Sequence, residues 1–268
     1  DFLLKNALSL DQHIELKNFC DEICIKYMCT PFSFKAAEEL FENNLIDIIK
    51  IGSGEMTDIP SLLKMSDFGL PMIISTGMCS YDEIAETYDA LLEKNTQLAL
   101  LNCVSEYPPD YEDINLKVIS KMQSMFPKAI IGHSDHTPTI YTCFGAVTLG
   151  AKIIEKHVIL DKQVPGPDQS VSIDFDELND LVSGIRLMEV ALGDEKKIHQ
   201  KEEQIREWAF RSIVAKTMIK KDTVITQDLI WSKRPGTGIP SKQMDKVLGK
   251  VAKKNILPNT LLTWDDLE

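Results

Sequence analysis

Two histidines and a lysine carry the strongest chemical signals in this sequence. His136 closes the run Gly132, His133, Ser134, Asp135, His136, just after an apolar, β-branched stretch at residues 129–132. His157 closes Glu155, Lys156, His157, at the end of the next such stretch, residues 152–155. If neighbouring strands bring those ends together, two imidazoles with open positions suit a borderline divalent ion acting as a Lewis acid. Each is also readable as a structural histidine bonded within a loop. His133 reads as facing away from His136 or as a loop spacer, and His13 and His199 as solvent-side.

Lys50 ends another apolar run and leads into Gly52, Ser53, Gly54 and Glu55. The glycines let backbone N–H groups approach an anion, Ser53 adds a hydroxyl, and Lys50 adds a point charge. Ser75, Thr76 and Gly77 repeat the pattern one strand on, Thr30 precedes it by one strand, and Ser134 offers a further hydroxyl. Singly, each is an ordinary turn. Converging, they suit a phosphate or a carboxylate. Carboxylates near the same ends are Glu55, Asp135, Glu155 and Asp168. Asp168 follows Pro165, Gly166 and Pro167, a stiff loop that could hold an acceptor for sugar hydroxyls or merely a turn-capping Asp. Glu106, Glu112 and Asp113 read as caps or solvated charges. Arg234, between Lys233 and Pro235–Gly238, could reach a ligand in its own or a partner's site, or be a solvated charge.

The elements that must position these groups repeat as a unit: a short apolar run, a polar or glycine-containing turn, then an amphipathic helix. The runs are residues 25–29, 46–51, 72–75, 98–103, 129–132 and 152–155, with helical patterns at 34–43, 59–68, 81–92, 111–124 and 141–149. Strands alternating with helices at this spacing predict parallel βαβ units, buried on both faces. Six strands fit an open sheet or part of a closed eight-stranded barrel. Polar groups follow all six, and only a barrel gathers every C-terminal end at one mouth. Residues 1–20 read as a helix, with Ser9 as a cap candidate. A chain that opens inside a helical unit at Asp1 is expected to lack two strands upstream. The domain reading is a barrel at residues 1–193, ending with a helix at 177–192. A charged, aperiodic linker at 194–208 follows, then a small β-rich domain at 209–268 that needs support from elsewhere.

Composition bounds the function. The 268 residues are 44% hydrophobic and 26% charged, ordinary for a globular protein. A net charge of -12 opposes nucleic-acid binding, though a local pocket can still be positive. No apolar run is long enough to span a bilayer. The six cysteines form no zinc-like pair and read as reduced, mostly core residues of a cytoplasmic protein.

These motifs, in this order and over nearly the whole chain, resemble the N-acetylneuraminate (sialic acid) synthase family. The matching segments are Lys50 to Glu55, Ile74 to Met78, Cys103 to Asp113, Gly132 to Thr137, Glu155 to His157, Pro165 to Asp168 and Lys233 to Gly238. The resemblance implies a (β/α)8 TIM barrel, lacking its first two strands in this chain, and a C-terminal antifreeze-like (SAF) domain. It implies condensation of phosphoenolpyruvate with an open-chain N-acylmannosamine, giving a nonulosonic acid and phosphate by C–O cleavage. His136 and His157 would bind a divalent ion, Mn2+ or Mg2+. Thr30, Lys50, Ser53, Ser75 and Ser134 would bind phosphoenolpyruvate, with Ser105 where some members carry Asn. Glu55, Tyr107 and Asp168 would line the sugar and the reacting centre. Arg234 would reach the partner's site in a domain-swapped homodimer. The family's upstream lysine and glutamate precede Asp1, so a chain limited to these residues is expected to be poorly active. Its legionaminic and pseudaminic acid synthases leave the acceptor sugar open, and the Pro165–Asp168 loop leans away from pseudaminate. A metal-dependent aldolase on the same barrel would need neither the small domain nor Arg234. A binding module would need neither the histidine pair nor Lys50.

Overall fold

The computed structural model describes residues 7–95 and 97–268. The chain divides into two compact units, Asp1–Gly193 and Asp194–Glu268.

The first unit begins with helix α1 (Leu10–Glu22), whose start is set by a capping box between Ser9 and Gln12. Its first expected residues, Leu3 and Leu4, lie outside the described residues. Then come α2 (Phe34–Glu42), β1 (Ile49–Ile51), α3 (Ile59–Ser66), β2 (Met72–Ser75), α4 (Tyr81–Leu92), β3 (Leu98–Cys103), α5 (Val118–Met125), β4 (Ile130–Asp135), α6 (Tyr141–Thr148), β5 (Ile154–Lys156) and α7 (Phe175–Ala191). The five strands form one sheet in the order β1-β2-β3-β4-β5, every pair parallel. An order that never reverses has no switch point. Right-handed crossovers between successive strands then put the connecting helices α3–α6 on the same face, as in consecutive units of a TIM-like α/β fold. Ile49, Ile51, Met72, Ile74, Leu100 and Ile131 pack into the core beneath those helices.

The structure corrects several expectations. Residues 25–29 form no strand: Ile25 is 60% exposed, and among the described residues nothing pairs with them. An apolar run supplies faces, but a strand also needs a neighbour to take its backbone hydrogen bonds. β4 runs on to Asp135, so His133, Ser134 and Asp135 belong to the strand rather than to a loop. The helix expected at 111–124 is a short turn at Tyr111–Asp113 followed by α5, because Asn115 adopts positive φ (46°) between them. His13 is half-buried, its Nδ1 2.5 Å from the Tyr27 hydroxyl.

The second unit opens with α8 (Gln200–Ala209), inside the stretch read as linker. Its Lys, Glu, Gln and Ala are good helix formers, and Glu202 reaches back to the His199 N–H, 2.9 Å. β6 (Ser212–Ala215) and β7 (Ile230–Lys233) pair antiparallel, and isolated bridges tie residues 219, 224 and 252 to later segments. A helical turn at Ser241–Gln243 leads into α9 (Met244–Val247). Ile213, Ala215, Ile219, Ile230, Ala252 and Leu262 form a separate core.

Candidate active site at the strand ends

A cleft of about 590 Å³ opens at the C-terminal ends of the strands. Its floor is polar. Lys50, on β1, is buried, and its ammonium donates to Ser75 Oγ of β2 (2.9 Å) and to its neighbour's carbonyl, Ile51 O (3.0 Å). Glu155, on β5, completes the arrangement. Its Oε2 lies 3.2 Å from Lys50 Nζ, and its Oε1 accepts from Ser134 Oγ of β4 at 2.7 Å. Strand alternation explains the choice of residues. Along β4, Ser134 faces the cleft, while His133 bonds the Asn102 carbonyl through Nδ1 (3.1 Å) and lies fully buried. His133 is therefore no loop spacer.

The wall beside β1 is a turn at Ser53–Glu55, where Ser53 Oγ accepts from the Gly77 N–H at 3.0 Å. A Cβ on Gly77 would collide with Ser105 Oγ and come within 2.8 Å of Ser53 Oγ, so glycine is what lets these loops meet. Thr30, Glu55, Ser105 and Tyr107 also line the cleft. So do four residues assigned no role from sequence: Phe32, Met78, Cys103 and Lys156. Cys103 was read as core, and it is buried. Burial by itself would raise its thiol pKa, but His136, Ser53 and Ser105 around it more than reverse this, and the net shift is downward.

His136 and His157 stand side by side above the floor, ring centres 5.2 Å apart, with the Tyr107 ring 4.2 Å from His136. His136 Nδ1 lies 2.7 Å from the Val104 carbonyl. A carbonyl only accepts, so Nδ1 carries the hydrogen and, in the neutral ring, Nε2 keeps its lone pair. Burial pulls the His136 pKa down, but the Cys103 and Val104 contacts outweigh it and the net shift is upward. For His157, burial wins over the pull of Asp168, and the pKa falls. Asp168 Oδ2 is 3.6 Å from His157 Nδ1, so Asp168 stands behind the histidine instead of lining the cleft. His136 is thus backed at Nδ1 by a hydrogen bond, the arrangement of a histidine that binds metal through the other nitrogen, while His157 has a carboxylate 3.6 Å from its Nδ1. Among the described residues no group of three or more His, Cys, Asp or Glu could hold a metal. The donor set fits an ion held by His136 and His157 with its other positions left to substrate or water.

Arg234 belongs to the second unit. Its Nε donates to the Ala209 carbonyl (2.8 Å), and its guanidinium lies over the Trp208 ring, 5.7 Å from the centre. Glu155 is a nearby carboxylate in the sequence whose contact with Lys50 and Ser134 only the structure shows. Its signal is alternation, since Glu155 lies on β5 two residues before His157, which directly follows the strand, and so shares its side.

The N,N'-diacetyllegionaminic acid synthase of Campylobacter jejuni is 37% identical over 96% of this chain and 78% of its own length. The human N-acetylneuraminate-9-phosphate synthase is 37% identical over 90% of this chain and 68% of its own. The crystal structure of the Bacillus subtilis spore coat polysaccharide biosynthesis protein SpsE superposes with a TM-score of 0.66 at 30% identity, covering 98% of this chain and 78% of that one. The SAF domain profile matches residues 210–268. The NeuB family profile matches residues 1–197, and the chain belongs to that family of enzymes.

Proposed function

We propose that this protein condenses phosphoenolpyruvate with an N-acylmannosamine-type sugar, in its open aldehyde form, to give a nonulosonic acid and phosphate. The carrying observation is the juxtaposition in one cleft of a buried, hydroxyl-lined ammonium at Lys50 and the paired imidazoles of His136 and His157. The named activities of the Campylobacter and human relatives support the same reaction class.

Lys50, Ser53, Ser75 and Ser134 bind the phosphate and carboxylate of phosphoenolpyruvate, with Thr30 and Ser105 at the edge of that seat. Glu155 neutralises Lys50 when no anion is bound and must yield the ammonium when one arrives, since like charges repel there. Its carboxylate is then placed to hold a proton near the departing phosphate oxygen. A divalent ion, Mn2+ or Mg2+, held by His136 and His157 would supply Lewis acidity at the aldehyde oxygen. Tyr107 and Glu55 line the acceptor's path, and the Asp168 carboxylate acts on His157 from behind through its charge. In the balanced reaction, C3 of phosphoenolpyruvate bonds to the aldehyde carbon, a water oxygen adds at C2, and the C2–O bond to phosphate breaks. Arg234 completes the site of a partner subunit in a homodimer, its Pro235–Gly238 flank keeping the loop short and stiff.

The test, on a chain extended with the family's upstream residues, is phosphate release from phosphoenolpyruvate with Mn2+, comparing N-acetylmannosamine with its 2,4-diacetamido-trideoxy analogue. Release with N-acetylmannosamine, abolished by chelator and by His157→Ala, is expected. Release with the analogue alone keeps the mechanism and moves the product to legionaminate. No release with either, from folded protein, overturns the assignment.

A further inference from the structure

The histidine pair sits at the end of a cross-strand ladder whose preceding member is a buried ion pair. β4 and β5 are in parallel register, Ser134 opposite Glu155 and Asp135 opposite Lys156, and His136 and His157 follow one residue later. Ser134 and Glu155 are hydrogen-bonded at the cleft floor. Behind them, Lys156 Nζ lies 2.7 Å from Asp135 Oδ2, with side-chain exposures of 3% and 0%. Lys156 also donates to the carbonyl of Thr137, the residue after His136. One ammonium therefore grips the chain on both sides of His136, at the last residue of β4 and at Thr137 beyond it. The carboxylate is fixed in turn by Thr137 Oγ1 and by Thr142 Oγ1 of α6, each at 2.8 Å.

Asp135 does not line the cleft; Lys156 borders it, but its side chain is 3% exposed and its ammonium is taken up by Asp135 and the Thr137 carbonyl. Neither is needed to contact an anion or an aldehyde. A buried ion pair is weak evidence for stability, since apolar replacements often serve the fold as well. What this pair does that an apolar pair cannot is join two strand ends, by directional bonds, next to both imidazoles.

We propose that Asp135 and Lys156 are positioning residues that set the spacing and aim of His136 and His157 for a divalent cation. The proposal rests on the metal reading above. Outer partners of metal-binding histidines govern affinity by roughly 10- to 100-fold, and this pair acts on both histidines through the backbone.

The experiment titrates the full chain with Mn2+, following free Mn2+ by its electron paramagnetic resonance signal, and separately with inorganic phosphate by calorimetry. Asp135→Leu combined with Lys156→Met removes the link without leaving a lone buried charge. Expected is Mn2+ affinity weakened about tenfold or more, phosphate affinity unchanged, and a native circular dichroism spectrum. Equal loss of both affinities makes the pair merely structural and overturns the proposal. Unchanged Mn2+ affinity in the folded double variant does the same. If that variant does not fold, Asp135→Asn decides, because it keeps shape and weakens only the link: Mn2+ affinity unchanged overturns the proposal, and selective weakening supports it. A wild-type chain that binds no Mn2+ overturns the metal reading itself, and this inference with it.

Discussion

At the scale of the residue, side chains are set less by their own identity than by what faces them. His133 and His136 are three positions apart. One is sealed against the Asn102 carbonyl, while the other opens onto the cleft with its Nδ1 occupied. Asp266 shows the same dependence for a carboxylate. Burial would raise its pKa, but Lys254 Nζ at 2.7 Å and the Thr263 N–H and hydroxyl at 2.7 and 2.9 Å hold it below the usual range. A depressed folded-state pKa stabilises the fold above the unfolded value, about 3.9, and that contribution is lost as pH falls through the folded value. Asp266→Asn is therefore expected to cost about 1 kcal/mol at pH 7. Thermal melts of the two proteins should converge as the pH falls below about 4. A deficit that stays constant down to pH 3 would mean that the charge of Asp266 is not the source.

At the scale of the element, two glycines separate packing from site formation. Gly132 lies within β4, where a Cβ would come within 2.6 Å of the Ile153 carbonyl of the adjoining segment and against Leu101. Neither backbone can retreat without breaking the β3–β4–β5 ladder, so Gly132→Ala is expected to lose about 3 kcal/mol in denaturant melts. Gly77 follows β2, and its Cβ would meet mobile hydroxyls in the cleft. Gly77→Ala should leave the melting curve within about 1 kcal/mol of wild type but weaken phosphate binding at least tenfold, read by calorimetry. If both variants lose the same stability, the loop after β2 is part of the packed core and not an adjustable rim.

At the scale of the whole molecule, two cores carry two different burdens. The first unit holds every cleft residue, and the second has its own interior around Ile213, Ile230 and Leu262. No helix among the described residues is long and apolar enough to cross a membrane. Leu262 is fully buried, so Leu262→Ala should destabilise the second unit by about 3 kcal/mol through the lost contacts and the cavity left behind. Phosphate binding in the first unit's cleft should be unchanged. Loss of phosphate binding in parallel with melting of the second unit would show that the first unit's cleft depends on the second unit's fold.

The sequence by itself determined the repeating strand–helix unit, the place of all five strands with two of them to the residue, and most of the polar residues that line the cleft. These are local properties: strand and helix periods, glycines at turns, and polar residues placed just past apolar runs. It misjudged residues 25–29, where an apolar run had no neighbour to pair with, and residues 200–209, where capping and helix-forming residues outweighed the lack of an apolar stripe. Only the tertiary structure decided which groups touch. The register of β4 against β5 set Ser134 on Glu155, Asp135 on Lys156 and His136 beside His157. It also placed Asp168 behind His157 instead of within the cleft. Register is a relation between two segments some twenty residues apart, and a shift of one residue would turn every side chain to the opposite face. No pattern within either segment alone fixes that relation.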